Sequence, residues 1–217
     1  MSAYLIKKSP VSLVPGAAPD APQWAAGEVL RLGYVFSKSS CHAPETQVRL
    51  VHDDHAIAGL FEVRDQYVIG TASADQQPVC KDSCVEFFFQ VSGDERYFNL
   101  EMSCTGKILL YHVRDCRGGD FEELPQGDLD MIVRRSSLPE RTFPEIATPV
   151  NWWLSFYLPV AMLSEHTPVA KTLSGQRWKG NFTKCADNSS HPHWISWQKL
   201  SKLDFHLPKE FGDLIFE

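Results

Sequence analysis

No stretch of the sequence holds the i, i+3, i+4, i+7 spacing of apolar residues for three helical turns, whereas short runs rich in aromatic and β-branched residues recur along its whole length. Val29 to Phe36, Gln47 to His52, Ala56 to Val63, Cys84 to Val91, Tyr97 to Cys104, Lys107 to Val113, Met131 to Arg135, Asn151 to Leu158, Trp178 to Cys185 and Trp194 to Leu200 each read as a strand. Turn residues separate most of them. Only Pro159 to His166 leaves room for a helical turn or two. About ten short strands with little helix predict an all-β chain, an antiparallel β-sandwich of jelly-roll type.

Pro10, Pro15, Pro19 and Pro22, with Gly16 between them, read residues 1–23 as an extended arm lying over a sandwich that spans 24–217. Charge runs, low-complexity tracts and internal repeats are lacking, so no further boundary is expected. The loop from Arg114 to Asp130 is long enough to be functional or merely mobile.

With 21 Lys+Arg against 27 Asp+Glu the formal charge is −6, which disfavours a nucleic-acid partner, since a phosphate-backbone binder needs a basic face. Hydrophobic residues make up 43%, enough for a sizeable core. No apolar run approaches the ~18 residues of a membrane span, so no membrane partner is expected. As the sequence stands a soluble, cytoplasmic chain is expected, or a secreted or periplasmic one if a leader has been removed. The six cysteines repeat no spacing and read as reduced, buried thiols. Oligomeric state leaves no mark on the sequence.

One hairpin carries the informative chemistry. Strand side chains alternate between faces, so Val85, Phe87, Phe89 and Val91 share the core face while Glu86, Phe88 and Gln90 share the other. By the same parity Phe98, Leu100, Met102 and Cys104 face inward and Tyr97, Asn99, Glu101 and Ser103 outward. Pairing the two apolar sets places Glu86 opposite Glu101, Phe88 opposite Asn99 and Gln90 opposite Tyr97. The outer face then offers planar donors and acceptors beside aromatic rings, which suits a sugar: amides and carboxylates bridge hydroxyls, and C–H faces stack on rings. An equally simple reading is the solvated side of an ordinary antiparallel sheet.

The run Lys81-Asp82-Ser83-Cys84-Val85-Glu86-Phe87-Phe88, followed by Tyr97-Phe98-Asn99-Leu100-Glu101 and Gly106, resembles carbohydrate-binding module family 9 and its family-9-like relatives. The C-terminal third is similar too: Trp178-Lys179-Gly180-Asn181-Phe182-Thr183-Lys184-Cys185, then His193-Trp194-Ile195-Ser196-Trp197, then Phe205-His206-Leu207-Pro208-Lys209-Glu210-Phe211-Gly212. The resemblance implies a non-catalytic β-sandwich that holds a terminal sugar unit of a mono- or oligosaccharide between aromatic rings. It implies no cofactor beyond calcium as a structural ion in some members. Carried over by position, Glu86, Asn99, Trp178 and Asn181 match site positions of the family; together with the hairpin reading, Glu86, Asn99, Glu101 and Asn181 would bond hydroxyls, Trp178 stack on the pyranose, and Tyr97 or Phe88 form a side wall. One departure stands out: the family's sandwiching tryptophan falls near Cys80, where Val79 and Cys80 supply no ring, so Phe88 or Tyr67 would have to take that part.

Two other function classes fit parts of the pattern. Carboxylates facing across adjacent strands could stand about 5 Å apart, the separation of a retaining glycosidase, which would make Glu86 and Glu101 nucleophile and acid/base. A sandwich that has lost its sugar site and serves protein interaction also accommodates the missing ring. Cys-x₃-Cys and His-Pro-His match no zinc-finger spacing, so no metal site is expected. Asp53, Asp54 and Asp65 read as turn caps rather than calcium ligands. One of Trp152 and Trp153 points inward and the other outward. Trp194 and Trp197 are expected to seal the end of the sandwich, and His206 to lock the terminus.

Overall fold

Val85, Phe87 and Phe89 leave their strand on one side and Glu86 and Phe88 on the other, and that alternation organises the whole molecule. The structure, a computed structural model, describes residues 2–217. Its strands in chain order are β1 Ala3–Lys8, β2 Leu30–Arg31, β3 Tyr34–Val35, β4 Glu45–His52, β5 Ala56–Asp65, β6 Val68–Gly70, β7 Cys84–Gln90 and β8 Tyr97–Ser103. There follow β9 Ile108–Asp115, β10 Asp120–Glu123, β11 Val133–Ser136, β12 Thr142–Ile146, β13 Val150–Pro159, β14 Arg177–Cys185, β15 Trp194–Ser196 and β16 Gly212–Phe216. Helix is confined to α1 Gln126–Met131, α2 Val160–Ser164 and three short 3₁₀ turns, none long and apolar enough to cross a membrane.

The all-β expectation holds, and α2 falls inside the segment read as a helical turn or two. Sixteen strands replace about ten, partly because Val29 to Phe36 divides into β2 and β3 and partly because β1, β6, β10, β12 and β16 add to the set. The loop from Arg114 to Asp130 holds β10 and most of α1.

One sheet runs β10-β9-β8-β7-β14-β16-β1-β4-β5-β13-β11 and curls until its two ends face each other. Phe87 stacks on Phe182 (4.9 Å) and reaches Phe156 (6.1 Å) in the facing half, and Phe61 meets Phe182 at 6.2 Å. Each fully buried ring stabilises the fold by about 1.5–3 kcal/mol, so this aromatic layer joins the two halves firmly.

β1 corrects the view of residues 1–23 as an arm outside the sheet. Residues 3–6 pair with β16 and residues 7–8 with β4, both in parallel, so this strand bridges the two halves and breaks the purely antiparallel expectation. Tyr4 and Ile6 enter the core while the prolines that suggested an arm begin only at Pro10. All six cysteines are free thiols.

Candidate functional site

Register in the central hairpin follows the parity argument: Glu86 pairs with Glu101 and Phe88 with Asn99, and β14 continues the ladder with Asn181 beside Phe88 and Thr183 beside Glu86. The outer face of this hairpin is nevertheless not solvated. Phe211, Phe205 and His206 from the C-terminal segment pack over Phe88 and Tyr97, and the 3₁₀ turn Val79–Lys81 covers the other end. What remains open is a cavity of about 210 Å³ lined by Cys80, Glu86, Phe88, Glu101, Arg117 and Trp194, with Asp187, Asp204 and His206 at its walls.

Of the residues expected to touch sugar, Glu86, Phe88 and Glu101 line this cavity. Asn99 lies behind it, its Nδ2 donating to Glu101 Oε1 (2.9 Å) while its Oδ1 accepts from Tyr111 N (3.0 Å). Tyr97 is buried beneath the cover, its hydroxyl hydrogen-bonded to His206 Nδ1 (2.8 Å). Asn181 is wholly buried; its Oδ1 accepts from Gln198 N and Phe182 N, both at 3.0 Å, so it ties the stretch after β15 to the sheet. Trp178 sits on the opposite face, packed on Phe89 (5.8 Å) and Phe216 (4.9 Å) in the core. Residues three apart on a strand must face opposite ways, so Trp178 and Asn181 were never able to serve one site. Tyr67 stacks on His191 at 3.6 Å, away from the cavity.

Trp194 places a ring at the cavity wall, where Trp178 does not. Expected as a seal, it is only half-buried, and its Nε1 donates to Asp187 Oδ1 (2.8 Å), which holds the indole at the cavity wall. Trp197 takes the sealing part and is buried. Arg117, on the loop after β9, donates from Nη2 to Asp204 Oδ1 (2.7 Å) while its guanidinium stays largely exposed. Asp82 of the Asp-x-x-Val-Glu run accepts from Thr71 N, Ala72 N and Ser103 Oγ, and so anchors the turn that brings Cys80 to the cavity. Arg117 and Asp187 lie in loops and leave no sequence signal. From the sequence Trp194 and His206 read as a seal and a terminal lock, not as cavity residues.

The cavity floor is electrostatically unusual. Burial pushes the Glu86 carboxyl up to about 7, against hydrogen bonds from Thr183 Oγ1 and Cys185 Sγ, and pushes Glu101 well above the usual range, with the neighbouring Glu86 charge adding to the effect. Burial also raises Asp187. Asp204 goes the other way: its burial is outweighed by the bonds from Arg117 and the His206 backbone. A protonated Glu101 can both donate and accept, as a hydroxyl partner requires.

A second cavity, about 260 Å³, opens on the outer face of the β4-β5-β13 half beside Trp153. Its carboxylates are already engaged: Glu62 takes Gln47 Nε2 (3.0 Å) and Arg49 Nη2 (3.2 Å), and Glu45 takes Arg64 Nη1 (3.4 Å). The smaller cavity, with a carboxyl and a half-free guanidinium directed into it, is the better candidate.

The model of a family described as carbohydrate-binding family 9 matches residues 23–216. A crystal structure from Bacteroides uniformis ATCC 8492, provisionally assigned as a carbohydrate-binding protein, superposes with a TM-score of 0.89 at 31% identity over 100% of this chain and 99% of that one. Two structures of a family 9 carbohydrate-binding module from Caldicellulosiruptor kristjanssonii share the fold. The glucose complex has a TM-score of 0.60 at 17% identity, covering 98% of this chain and 95% of that one. The cellotriose complex has 0.62 at 15%, covering 100% and 94%. No curated protein matches the chain in sequence.

Proposed function

Because this chain belongs to carbohydrate-binding family 9, we propose that it binds a single terminal sugar unit in the cavity between Glu86, Glu101, Arg117 and Trp194. The observation that carries the reading is the pairing of a half-exposed indole with a carboxyl that has only one of its oxygens engaged. Trp194 offers an apolar plate for the C–H face of a pyranose, and Glu101 offers a donor and an acceptor to its hydroxyls. A cavity of about 210 Å³ lies below the ~300–1,000 Å³ of ordinary ligand pockets, which favours one sugar unit over a chain. The glucose and cellotriose complexes of the relatives support a sugar as the ligand class.

The second ring of a sugar sandwich is replaced here. Cys80 lines the wall where the family resemblance places a tryptophan, and Phe88 contributes only the part of its ring that Phe205, His206 and Phe211 leave free. One plate instead of two predicts weak binding. Titration of the chain with glucose, xylose, cellobiose and xylobiose, followed by calorimetry, tests the proposal. Saturable binding of at least one sugar is expected, and a flat response to all four counts against it.

A further inference from the structure

Beneath the sugar cavity, β7 and β14 bring two thiols and a carboxyl to one point. Cys84 and Cys185 are direct partners in the antiparallel ladder, and Glu86 follows Cys84 on the same outer face. The Sγ atoms of both cysteines and a carboxylate oxygen of Glu86 lie within 4.8 Å of one another, and all three side chains are buried. Cys185 Sγ stands 3.3 Å from Glu86 Oε1. Around a tetrahedral zinc ion with Zn–S near 2.3 Å and Zn–O near 2.0–2.2 Å, the two sulfurs and the oxygen stand roughly 3.5–3.8 Å apart, so the widest present separation has to close by at most about 1 Å.

We infer that Cys84, Cys185 and Glu86 form a binding site for one soft divalent cation, zinc being the best match. Two thiolates select zinc over magnesium or calcium, whose ligands are oxygens. Glu86 and Cys185 line the cavity, which gives the ion a route from solvent and leaves its fourth position to a water. Binding displaces the two thiol protons, and the Glu86 proton where it is held, to solvent; no electron moves. The bound unit carries one surplus negative charge, offset by Lys184 behind the ladder and Arg117 at the mouth. The inference rests on these ligands and stands whether or not the cavity takes sugar.

The test uses the full chain, kept reduced, stripped with a chelator and titrated with zinc and with cobalt in the absence of sugar. One equivalent is expected, with cobalt giving thiolate charge-transfer absorption and the visible bands of a tetrahedral ion. Cys84→Ser and Cys185→Ser should each weaken zinc at least about tenfold, while Cys41→Ser, on an exposed residue, should not. The cobalt spectrum needs no substitution, so it decides the question even if a variant misfolds. Absence of saturable binding, an octahedral cobalt spectrum, or affinity unchanged in both folded serine variants would overturn the assignment.

Discussion

Lys184 on β14 and Asp65 at the end of β5 meet in the interior with Nζ 3.6 Å from Oδ2, neither side chain exposed. Lys184 also donates to the Cys185 carbonyl (3.0 Å) and to His193 Nε2 (2.7 Å), while Asp65 takes Trp152 Nε1 (3.2 Å) and pairs with His42 Nε2 (2.7 Å). Burial alone would raise Asp65, but the Lys184 charge and the His42 bond hold it below the ordinary carboxylate range. The pair therefore joins the two halves of the curled sheet directly behind the candidate site.

Removing one member leaves a buried charge without its partner. Asp65→Asn and Lys184→Met should each destabilise the chain by about 3–5 kcal/mol, whereas the double variant should cost clearly less than the sum. Urea unfolding of the four proteins measures the coupling. Additive losses would mean the two charges do not depend on each other.

Acid should remove the stability that the buried histidines contribute. Burial lowers His206 to about 4, and His52 and His112 are lowered as well, chiefly by burial. At these sites the unfolded chain takes up protons near pH 6.5 that the folded chain refuses, so their contribution is full above that value and falls as pH drops towards 4, while the raised Glu86 and Glu101 carboxyls act in the opposite direction. His206 alone accounts for up to about 3 kcal/mol of the loss. Measured by unfolding against His206→Gln, the stability advantage of the unmodified chain should therefore shrink by up to about 3 kcal/mol as pH falls from about 6.5 towards 4. A difference that stays constant with pH would contradict the account.

Gly59 on β5 is required by packing, since a Cβ there would stand 2.1 Å from Phe156 Cε1 and 2.7 Å from Leu50 Cδ2. Gly59→Ala should cost about 1–3 kcal/mol by overpacking, with recovery in Gly59→Ala/Phe156→Leu. Thermal melts of the two variants check this.

Trp178 and Trp194 separate stability from binding. Trp178→Ala should lose about 3–5 kcal/mol because it empties a core position. Trp194→Ala, at a half-buried ring, should melt close to the unmodified chain yet lose sugar binding at least about tenfold, the worth of one stacking plate. Melting curves beside sugar titrations of both variants distinguish the two roles.

The alternation of Val85, Phe87 and Phe89 against Phe98, Leu100 and Met102 makes the register of β7 and β8 legible, because a slip of one residue would turn the whole apolar set outward. Burial of that hairpin's outer face is not legible. It depends on Phe205, His206 and Phe211, more than a hundred residues further along, folding back over Phe88 and Tyr97. A strand pattern records which side a residue takes and not what later lies on it. The same holds for β1, whose Tyr4 and Ile6 alternate over too few residues to outweigh the prolines that follow. Within the site, Glu86, Phe88 and Glu101 follow from parity, while Arg117 and Asp187 reach the cavity from loops whose course no periodicity encodes.

A crystal structure of the chain grown with a bound sugar tests the central claim most directly. The account predicts one pyranose ring lying on the Trp194 indole, with hydroxyls within hydrogen-bonding distance of Glu101 and Arg117. A sugar found elsewhere, such as over Trp153 on the opposite half, or a cavity holding only water at saturating sugar, would contradict it.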